Sequence, residues 1–312
     1  MNKLINIGTR ASKLALWQAE YISSLLAANN ADFSFNIVRL KTTGDNHSRP
    51  GIGEVSIKNK NIFVKEIEEA LINQEIDIAV HSLKDMSVLP KAGLLTAGFV
   101  GGASRCDALV FAKDLTFKDL PAGACIGTGS ARRNSQLRIL RDDLKVLPIR
   151  GNVDTRVKKL NNGEYDAIVL AQAGLERLGL KDAIIHSFSI EEMVPAAGQG
   201  IVAVQIREGD QTLKDVVKGI SNVLCEYAAY IEFEFMKIIG AGCDLPLGVF
   251  AEIKEDIVNV SLFLSSLDFN HFIKIKKKYD ITDIKRIAFD LAEAVKNSWR
   301  EKTGKDLNFY EQ

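Results

Sequence analysis

The sequence has no apolar run of membrane-spanning length, no net charge and no closely spaced cysteine pair. The first absence argues against a transmembrane helix. Because 40 basic residues balance 40 acidic ones, the chain lacks the basic excess of a general nucleic-acid-binding protein. Its four cysteines form no CxxC motif, which argues against a zinc ribbon or a thioredoxin-like site. The first ten residues resemble neither a signal peptide nor a transit peptide, so we expect a reduced, cytoplasmic setting.

The 312 residues, 46% hydrophobic and 26% charged, are typical of a soluble globular protein with two or three domains. Strand-like and helix-like segments alternate through the first two thirds of the chain, which predicts α/β lobes with mainly parallel sheets. From about Ser221 a long helix, alternating strands and a closing helix predict a smaller α+β domain. The predicted domains are 1–100 plus 201–218, 105–194 and 221–312.

Two basic turns, Ile126–Arg133 and Arg150–Arg156, each follow a short apolar run and open a helix-like segment. In the first turn Ser130 is placed to cap the helix, which leaves backbone N–H groups for an anion. Asn152 or Asp154 is the corresponding cap in the second. Planar guanidinium groups suit carboxylate or phosphate, so we interpret the turns as one anion site, against the simpler reading that each arginine is a solvated surface residue. The arginines concerned are Arg132, Arg133, Arg150 and Arg156.

A second group of polar residues, His81–Asp85, follows the apolar run Ile76–Val80. Functional groups in α/β proteins lie at such strand ends, and Asp85 could stabilise a developing cation or move protons. The alternative is an ordinary loop ion pair between Asp85 and Lys84 with a structural His81. Gly8–Ser12 is a similar strand-turn-helix element, and its Arg10 is placed to add to the anion site.

Cys243 lies in the glycine-bordered loop Gly240–Gly248. Cysteine is usually buried, and we expect that of Cys125 and Cys225. Turn glycines give little apolar cover, so an accessible, reactive or modified thiol is an equally good interpretation of Cys243.

Together these motifs resemble the porphobilinogen deaminase (hydroxymethylbilane synthase) family over essentially the full chain. The segments that carry the resemblance are Thr9–Gln18, Phe63–Glu66, Asp77–Asp85, Gly127–Arg133, Arg150–Arg156, Tyr165–Ile168, Pro195–Gly200 and Gly242–Pro246.

The resemblance implies a transferase of tetrapyrrole and heme biosynthesis, which joins four porphobilinogen molecules into hydroxymethylbilane and releases ammonia. It implies a dipyrromethane cofactor, held by a thioether to Cys243 and used as a primer, with Asp85 as the catalytic carboxylate. The implied fold is two periplasmic-binding-protein-like lobes with mainly parallel five-stranded sheets, plus a small C-terminal domain with an antiparallel sheet. A monomer that passes its product to uroporphyrinogen-III synthase, with no metal and no membrane or nucleic-acid partner, is also implied.

The resemblance further implies two sets of binding residues, because each pyrrole unit carries an acetate and a propionate. The residues expected to bind the cofactor are Cys243, Lys84, Ser82, Thr128, Ser130, Arg132, Arg133, Arg150 and Arg156. Those expected to bind substrate are Arg10, Ser12, Lys60 and Gln199, of which Gln199 matches the family's interdomain hinge.

Two positions depart from the family pattern. Within the Thr42–Asn61 segment, which we interpret as a mobile lid or a disordered loop, Lys58–Asn61 replaces a common Gly-Gly-Lys-Gly, and only Lys60 matches. Cys106 stands where an arginine is frequent, so the contact of that arginine is either absent or supplied by Arg105.

Two other functions fit part of the sequence. A binding protein built as a two-lobed α/β clamp could hold a dicarboxylate without catalysing a reaction, but such a protein would not need Asp85 or Cys243. A phosphate-handling transferase could use the Gly127–Arg133 turn, yet that turn lacks the G-x-x-x-x-G-K-[ST] pattern, and no acidic cluster suggests a magnesium site.

Overall fold

The computed structural model describes residues 3–40, 62–111, 116–242 and 245–307. Within these ranges the chain forms two compact units, each of which contains a five-stranded sheet. Unit 1 comprises Met1–Gly102 and Ile201–Glu226, and unit 2 comprises Ala103–Gly200 and Tyr227–Gln312. No helix in the described part is long and apolar enough to cross a membrane.

The sheet of unit 1 has the strand order β2-β1-β3-β10-β4. Its strands are β1 (Lys3–Arg10), β2 (Phe33–Leu40), β3 (Ile78–Ser82), β4 (Leu94–Val100) and β10 (Val202–Arg207). β1 pairs in parallel with β2 and β3, whereas β10 is antiparallel to both β3 and β4. The sheet is therefore mainly parallel, with β10 as its one reversed strand.

Helices α1 (Lys13–Asn29), α2 (Ile62–Ile72) and α6 (Gln211–Lys218) belong to the same unit. α1 begins where the Ser12 hydroxyl accepts a hydrogen bond from the Ala15 N–H at 3.3 Å, and α6 begins at Asp210, whose carboxylate caps the Leu213 N–H at 3.0 Å. The first four residues of β3 are all buried, as expected of a parallel strand with both faces covered.

The sheet of unit 2 repeats this arrangement, with the order β7-β6-β8-β5-β9. Its strands are β5 (Asp107–Phe111), β6 (Cys125–Gly127), β7 (Lys145–Leu147), β8 (Ala167–Ala171) and β9 (Ile184–Ser187). Here β5, the first strand of the unit, is the reversed one, antiparallel to β8 and β9. The helices α3 (Ala131–Leu140), α4 (Val153–Asn161) and α5 (Gln172–Arg177) follow β6, β7 and β8.

Beyond β10, helix α7 (Val223–Ile238) leads to a three-stranded antiparallel sheet and a final helix. The strands are β11 (Leu247–Lys254), β12 (Ile257–Ser265) and β13 (Phe272–Asp280), and the helix is α8 (Ile284–Thr303). The buried residues Ile287, Leu291 and Val295 recur every fourth position and form the apolar face of α8, which packs against β13.

The predicted architecture, two mainly parallel five-stranded sheets and a small antiparallel one, is confirmed. Three elements, β4, β9 and α6, were not predicted from the sequence. Gly98 interrupts the strand pattern of β4. β9 and α6 are too short for a clear pattern, with four and eight residues. The structure places 105–194 and 227–312 in one compact unit. The division into three domains stays a prediction.

His81 lies in β3 in the interior of unit 1 and is 5% exposed. Burial lowers the pKa of its imidazole from 6.5 to about 4, against a smaller opposing effect of the neighbouring Gln205 side chain. The Gln205 amide in turn donates to Glu68 of α2 at 3.1 Å. His81 is therefore neutral in the folded protein at neutral pH.

We expect the free energy of unfolding to fall as the pH drops from 6.5 to about 4, because the unfolded chain takes up a proton on His81 before the folded chain does. The contribution of His81 to this loss approaches about 3 kcal/mol at the acid end. Denaturant unfolding at several pH values measures it. His81→Gln should flatten the slope in this window, because it removes the group whose proton uptake differs between the folded and unfolded chain. Equal slopes in wild type and His81→Gln would contradict the assignment.

Candidate active site

In unit 1 the predicted site residues follow two neighbouring parallel strands, β1 and β3. Arg10 is the last residue of β1 and Ser82 the last residue of β3, so both stand at the carboxyl edge of the sheet, where α/β proteins bind ligands. Ser12, the cap of α1, follows Arg10 directly. The structure thus brings Arg10, Ser12, Ser82, Lys84 and Asp85 to one edge of unit 1.

Asp85 ends a short 3-10 turn, Leu83–Asp85, that follows β3. The turn is fixed on both sides, because Leu83 and Met86 are buried and the Leu83 N–H donates to the Ile201 carbonyl at 3.0 Å. Asp85 itself is exposed, and within the described residues its carboxylate has no salt bridge, including none to Lys84. A rigid turn therefore presents an accessible carboxylate, in agreement with the functional interpretation.

Sequence reasoning assigns no role to Gln18, a residue of α1 that is 2% exposed. Its amide donates to the Ser82 hydroxyl at 3.0 Å and accepts from it at 3.2 Å. Gln18 thereby fixes the orientation of Ser82. The available signal is an amide on the apolar face of α1, next to the buried Ala19 and one turn before the buried Ile22.

In unit 2 the two basic turns lie side by side, at the carboxyl ends of the parallel strands β6 and β7. The Thr128 N–H donates to the Leu147 carbonyl at 2.9 Å. A Cβ on Gly129 would lie 2.9 Å from the Ile149 carbonyl oxygen, so only glycine lets the turns approach this closely. The turns are therefore adjacent, as one shared anion site requires, and the shared site itself stays a prediction.

The predicted helix cap of the first turn is present, since the Ser130 hydroxyl accepts from the Arg133 N–H at 3.4 Å. Thr128 is buried, and its hydroxyl accepts from the Ser130 N–H at 3.2 Å. In the second turn Asn152 occupies the cap position without a side-chain hydrogen bond, so here the helix begins by backbone geometry alone.

Arg132 and Arg133 are not surface residues, being 3% and 6% exposed. Both bind one carboxylate, Asp107 of β5, which is itself 0% exposed. An Arg132 nitrogen lies 2.7 Å from one oxygen of Asp107, and Arg133 reaches the other at 2.8 and 2.9 Å. The guanidinium groups also donate to the Val194 carbonyl at 2.7 Å and the Val169 carbonyl at 3.0 Å.

This cluster contains two cations and one anion. Among the described residues, Asp107 is the carboxylate within ion-pairing distance of either arginine, so the described part of the cluster holds one more positive charge than negative charges. Burial lowers the pKa of Arg132, and the neighbouring Asp107 opposes that shift. A buried unbalanced charge is costly, so the cluster favours an anionic ligand beside it. The sequence predicted that four arginines face an anion together. For two of them, Arg132 and Arg133, the structure changes this prediction, because both already share the carboxylate of Asp107.

The remaining predicted residues differ in their surroundings. Arg150 is exposed, and the Nε of the half-buried Arg156 donates to the Gly151 carbonyl at 2.7 Å. Gln199 is 0% exposed, and its amide nitrogen donates to Asp107 at 3.0 Å, so its direct contact with substrate stays a prediction. Lys60 and Cys243 lie outside the described residues.

Comparison with known proteins agrees with this geometry. The family described as "Porphobilinogen deaminase, dipyromethane cofactor binding domain" matches residues 5–215. This chain belongs to the porphobilinogen deaminase family. The porphobilinogen deaminase of Campylobacter hominis is 39% identical to it over 94% of both chains, and that of a Geobacillus species is 41% identical over 85% of both. The porphobilinogen deaminase of Thermus thermophilus is 38% identical over 94% of this chain and 95% of its own.

Among solved structures, a nutrient-binding protein of Burkholderia cenocepacia bound to methionine aligns with a TM-score of 0.44 and 13% identity, over 69% of this chain and 91% of its own.

Gly129→Ala should destabilise the protein by about 1–3 kcal/mol, because the new methyl group would meet the rigid Ile149 carbonyl and force the two basic turns apart. Denaturant unfolding measures the loss. Gly219→Ala is the matched control, since its Cβ would lie 3.5 Å from the nearest atom, an ordinary contact, and its effect should stay within about 0.5 kcal/mol. Similar losses in the two variants would show that the turns are not held this closely.

Proposed function

We propose that this protein condenses four porphobilinogen molecules head to tail into hydroxymethylbilane, with release of ammonia, on a dipyrromethane primer attached to Cys243. The observation that carries the proposal is the buried pair of arginines that share the single carboxylate of Asp107. A growing pyrrole chain accumulates acetate and propionate groups, and these match a site with one cation in excess.

The residues of unit 2 fit the dipyrromethane carboxylates. Arg132 and Arg133 supply buried donors fixed in orientation by Asp107, and the exposed Arg150 supplies a guanidinium at the neighbouring turn. We assign Thr128, Ser130 and Arg156 to the same ligand as hydrogen-bond donors. When bound, the dipyrromethane supplies a pyrrole ring as the primer to which the first substrate is added.

The residues of unit 1 supply the catalytic group. The Asp85 carboxylate offsets the positive charge that develops on a pyrrole nitrogen as the aminomethyl group loses ammonia. The Asp85 carboxylate keeps its position from the loss of ammonia to the formation of the new carbon–carbon bond, because the buried Leu83 and Met86 fix the turn on either side. Lys84 and Ser82 hold the cofactor carboxylates. Ser82 keeps the hydrogen bond that it accepts from the Gln18 amide and turns its hydroxyl proton from Gln18 to the ligand. Arg10 and Ser12 hold the carboxylates of the incoming substrate.

Four finer assignments follow from the family. We assign Lys60 and Gln199 to substrate binding, the first by direct contact and the second through its hold on Asp107. The enzyme acts as a cytoplasmic monomer. Its product, the linear tetrapyrrole hydroxymethylbilane, passes to uroporphyrinogen-III synthase.

Asp85→Asn should keep the fold and the covalent cofactor but lower ammonia release by about 10²–10⁴-fold, because the amide cannot balance the developing charge. The assay combines turnover with the intact protein mass, which must still exceed the sequence mass by one dipyrromethane. Asp32→Asn, at another exposed aspartate of unit 1, is the matched control and should turn over normally. Near-normal ammonia release by Asp85→Asn would refute the catalytic assignment.

The same mass measurement separates the cofactor from the chemistry. Cys243→Ser should show the bare sequence mass and no turnover. A wild-type protein of bare mass that remains active would overturn the attachment at Cys243.

A further inference from the structure

A chain of buried polar contacts in unit 2 extends from the arginine pair toward α7. Gln199 forms its first link, because its amide nitrogen donates to Asp107 at 3.0 Å and to the Arg105 carbonyl at 2.9 Å. In return, the Nε of Arg105 donates to the Gln199 carbonyl at 2.8 Å. The beginning and the end of the 103–200 stretch of unit 2 are thus bound to each other reciprocally.

Arg105 carries the chain on to Glu232 of α7. One nitrogen of its guanidinium lies 2.7 and 2.6 Å from the two carboxylate oxygens, and another donates to the Ala251 carbonyl at 3.2 Å. The guanidinium carbon also sits 4.8 Å from the centroid of the Phe250 ring. Arg105 therefore has a single well-defined position. These contacts support the alternative, stated from the sequence, that Arg105 replaces an arginine missing at Cys106.

Glu232 is 0% exposed and joins three segments at once. Besides Arg105, its carboxylate accepts from the Gly198 N–H at 2.7 Å and from the Ala251 N–H at 2.8 Å. The start of β11 is held equally closely, since a Cβ on Gly248 would lie 2.6 Å from the Val194 carbonyl oxygen. Helix α7, the 198–200 loop and β11 consequently share one fixed arrangement.

A buried ion pair is a poor source of net stability, because desolvation offsets most of its attraction, whereas it fixes geometry well. In this chain the ion pair belongs to a chain of contacts that connects two sets of residues. One set is Asp107 with Arg132 and Arg133. The other is α7 and β11, the two elements that flank Cys243 in the sequence.

We propose that Arg105 and Glu232 are positioning residues that keep the elements flanking Cys243 in register with the arginine pair, so that one dipyrromethane can be attached at the thiol and bound through its carboxylates. This inference rests on the proposed function. Neither residue needs to touch the substrate. Because a misplacement of about 1 Å can slow a reaction on the order of a hundredfold, the register should govern how fast the cofactor is attached.

The test follows cofactor attachment in protein purified from cells that cannot make porphobilinogen. The bare protein is incubated with porphobilinogen, and intact mass is recorded over time. Glu232→Gln keeps the size of the side chain but removes the charge, and Arg105→Lys keeps the charge but loses the planar fork. Both variants should attach the cofactor roughly ten- to a hundredfold more slowly than wild type.

Asp77→Asn is the matched control. Asp77 of unit 1 also accepts from an arginine, Arg207 at 3.0 Å, and from a backbone N–H, that of Asn6 at 2.9 Å. Its replacement should lower the melting temperature without slowing attachment. Attachment at the wild-type rate by folded Arg105→Lys or Glu232→Gln would overturn the proposal. An equal slowing of attachment in Asp77→Asn would also overturn it, because lower stability alone would then explain the slower attachment.

A wild-type protein that gains no mass would instead contradict the proposed function, which keeps the two failures distinct. If Glu232→Gln does not fold, Arg105→Lys still decides the outcome. For molecules that do carry the cofactor, the KM for porphobilinogen should remain close to that of wild type, because neither residue is assigned to substrate. A large rise in KM with normal attachment would place the residues in substrate binding and overturn the positioning role.

Discussion

The candidate site depends on a single carboxylate, Asp107, buried between two arginines. It lies at the start of β5, the reversed strand of the unit 2 sheet, and binds side chains from α3 and from the loop that contains Gln199. Desolvated charges of this kind must be paired, so the positions of α3, β5 and that loop are interdependent. The residual positive charge of the cluster favours an anionic ligand, which under the proposed function is a carboxylate of the pyrrole chain.

The two units contribute different chemistry for reasons visible in their turns. In unit 1, β3 ends in a turn fixed by buried apolar residues, which leaves Asp85 accessible and suited to offset a developing positive charge. In unit 2, the turns after β6 and β7 meet at Gly129 and present hydroxyl and guanidinium groups. Unit 1 thus carries an accessible carboxylate, and unit 2 carries a partly balanced set of cations.

Local patterns in the sequence were enough to predict the Ser130 cap, the paired basic turns and the place of Asp85 after a buried strand, although that strand, β3, ends at Ser82 and not at Val80. Each of these depends on a few consecutive residues. The partners of the arginines could not be predicted, since Asp107 is separated from Arg133 by 26 positions and Glu232 from Arg105 by 127, and pairing of buried charges across such distances has no local signature. For the same reason the sequence suggested that Arg132 and Arg133 were open donors, although Asp107 already binds both. The position of Gln18 on the apolar face of α1 was a signal, but it did not identify Ser82 as the partner.

The claim that Asp107 balances one of two arginine charges is tested most directly by a double-mutant cycle of Asp107→Asn and Arg133→Met, measured by denaturant unfolding in a Cys243→Ser background without a covalent ligand. Asp107→Asn alone leaves two buried cations unpaired and should cost about 3–5 kcal/mol. Adding Arg133→Met removes one of them, so the double variant should be more stable than the sum of the single losses predicts, by at least about 1 kcal/mol. Losses that simply add, within about 0.5 kcal/mol, would contradict the account.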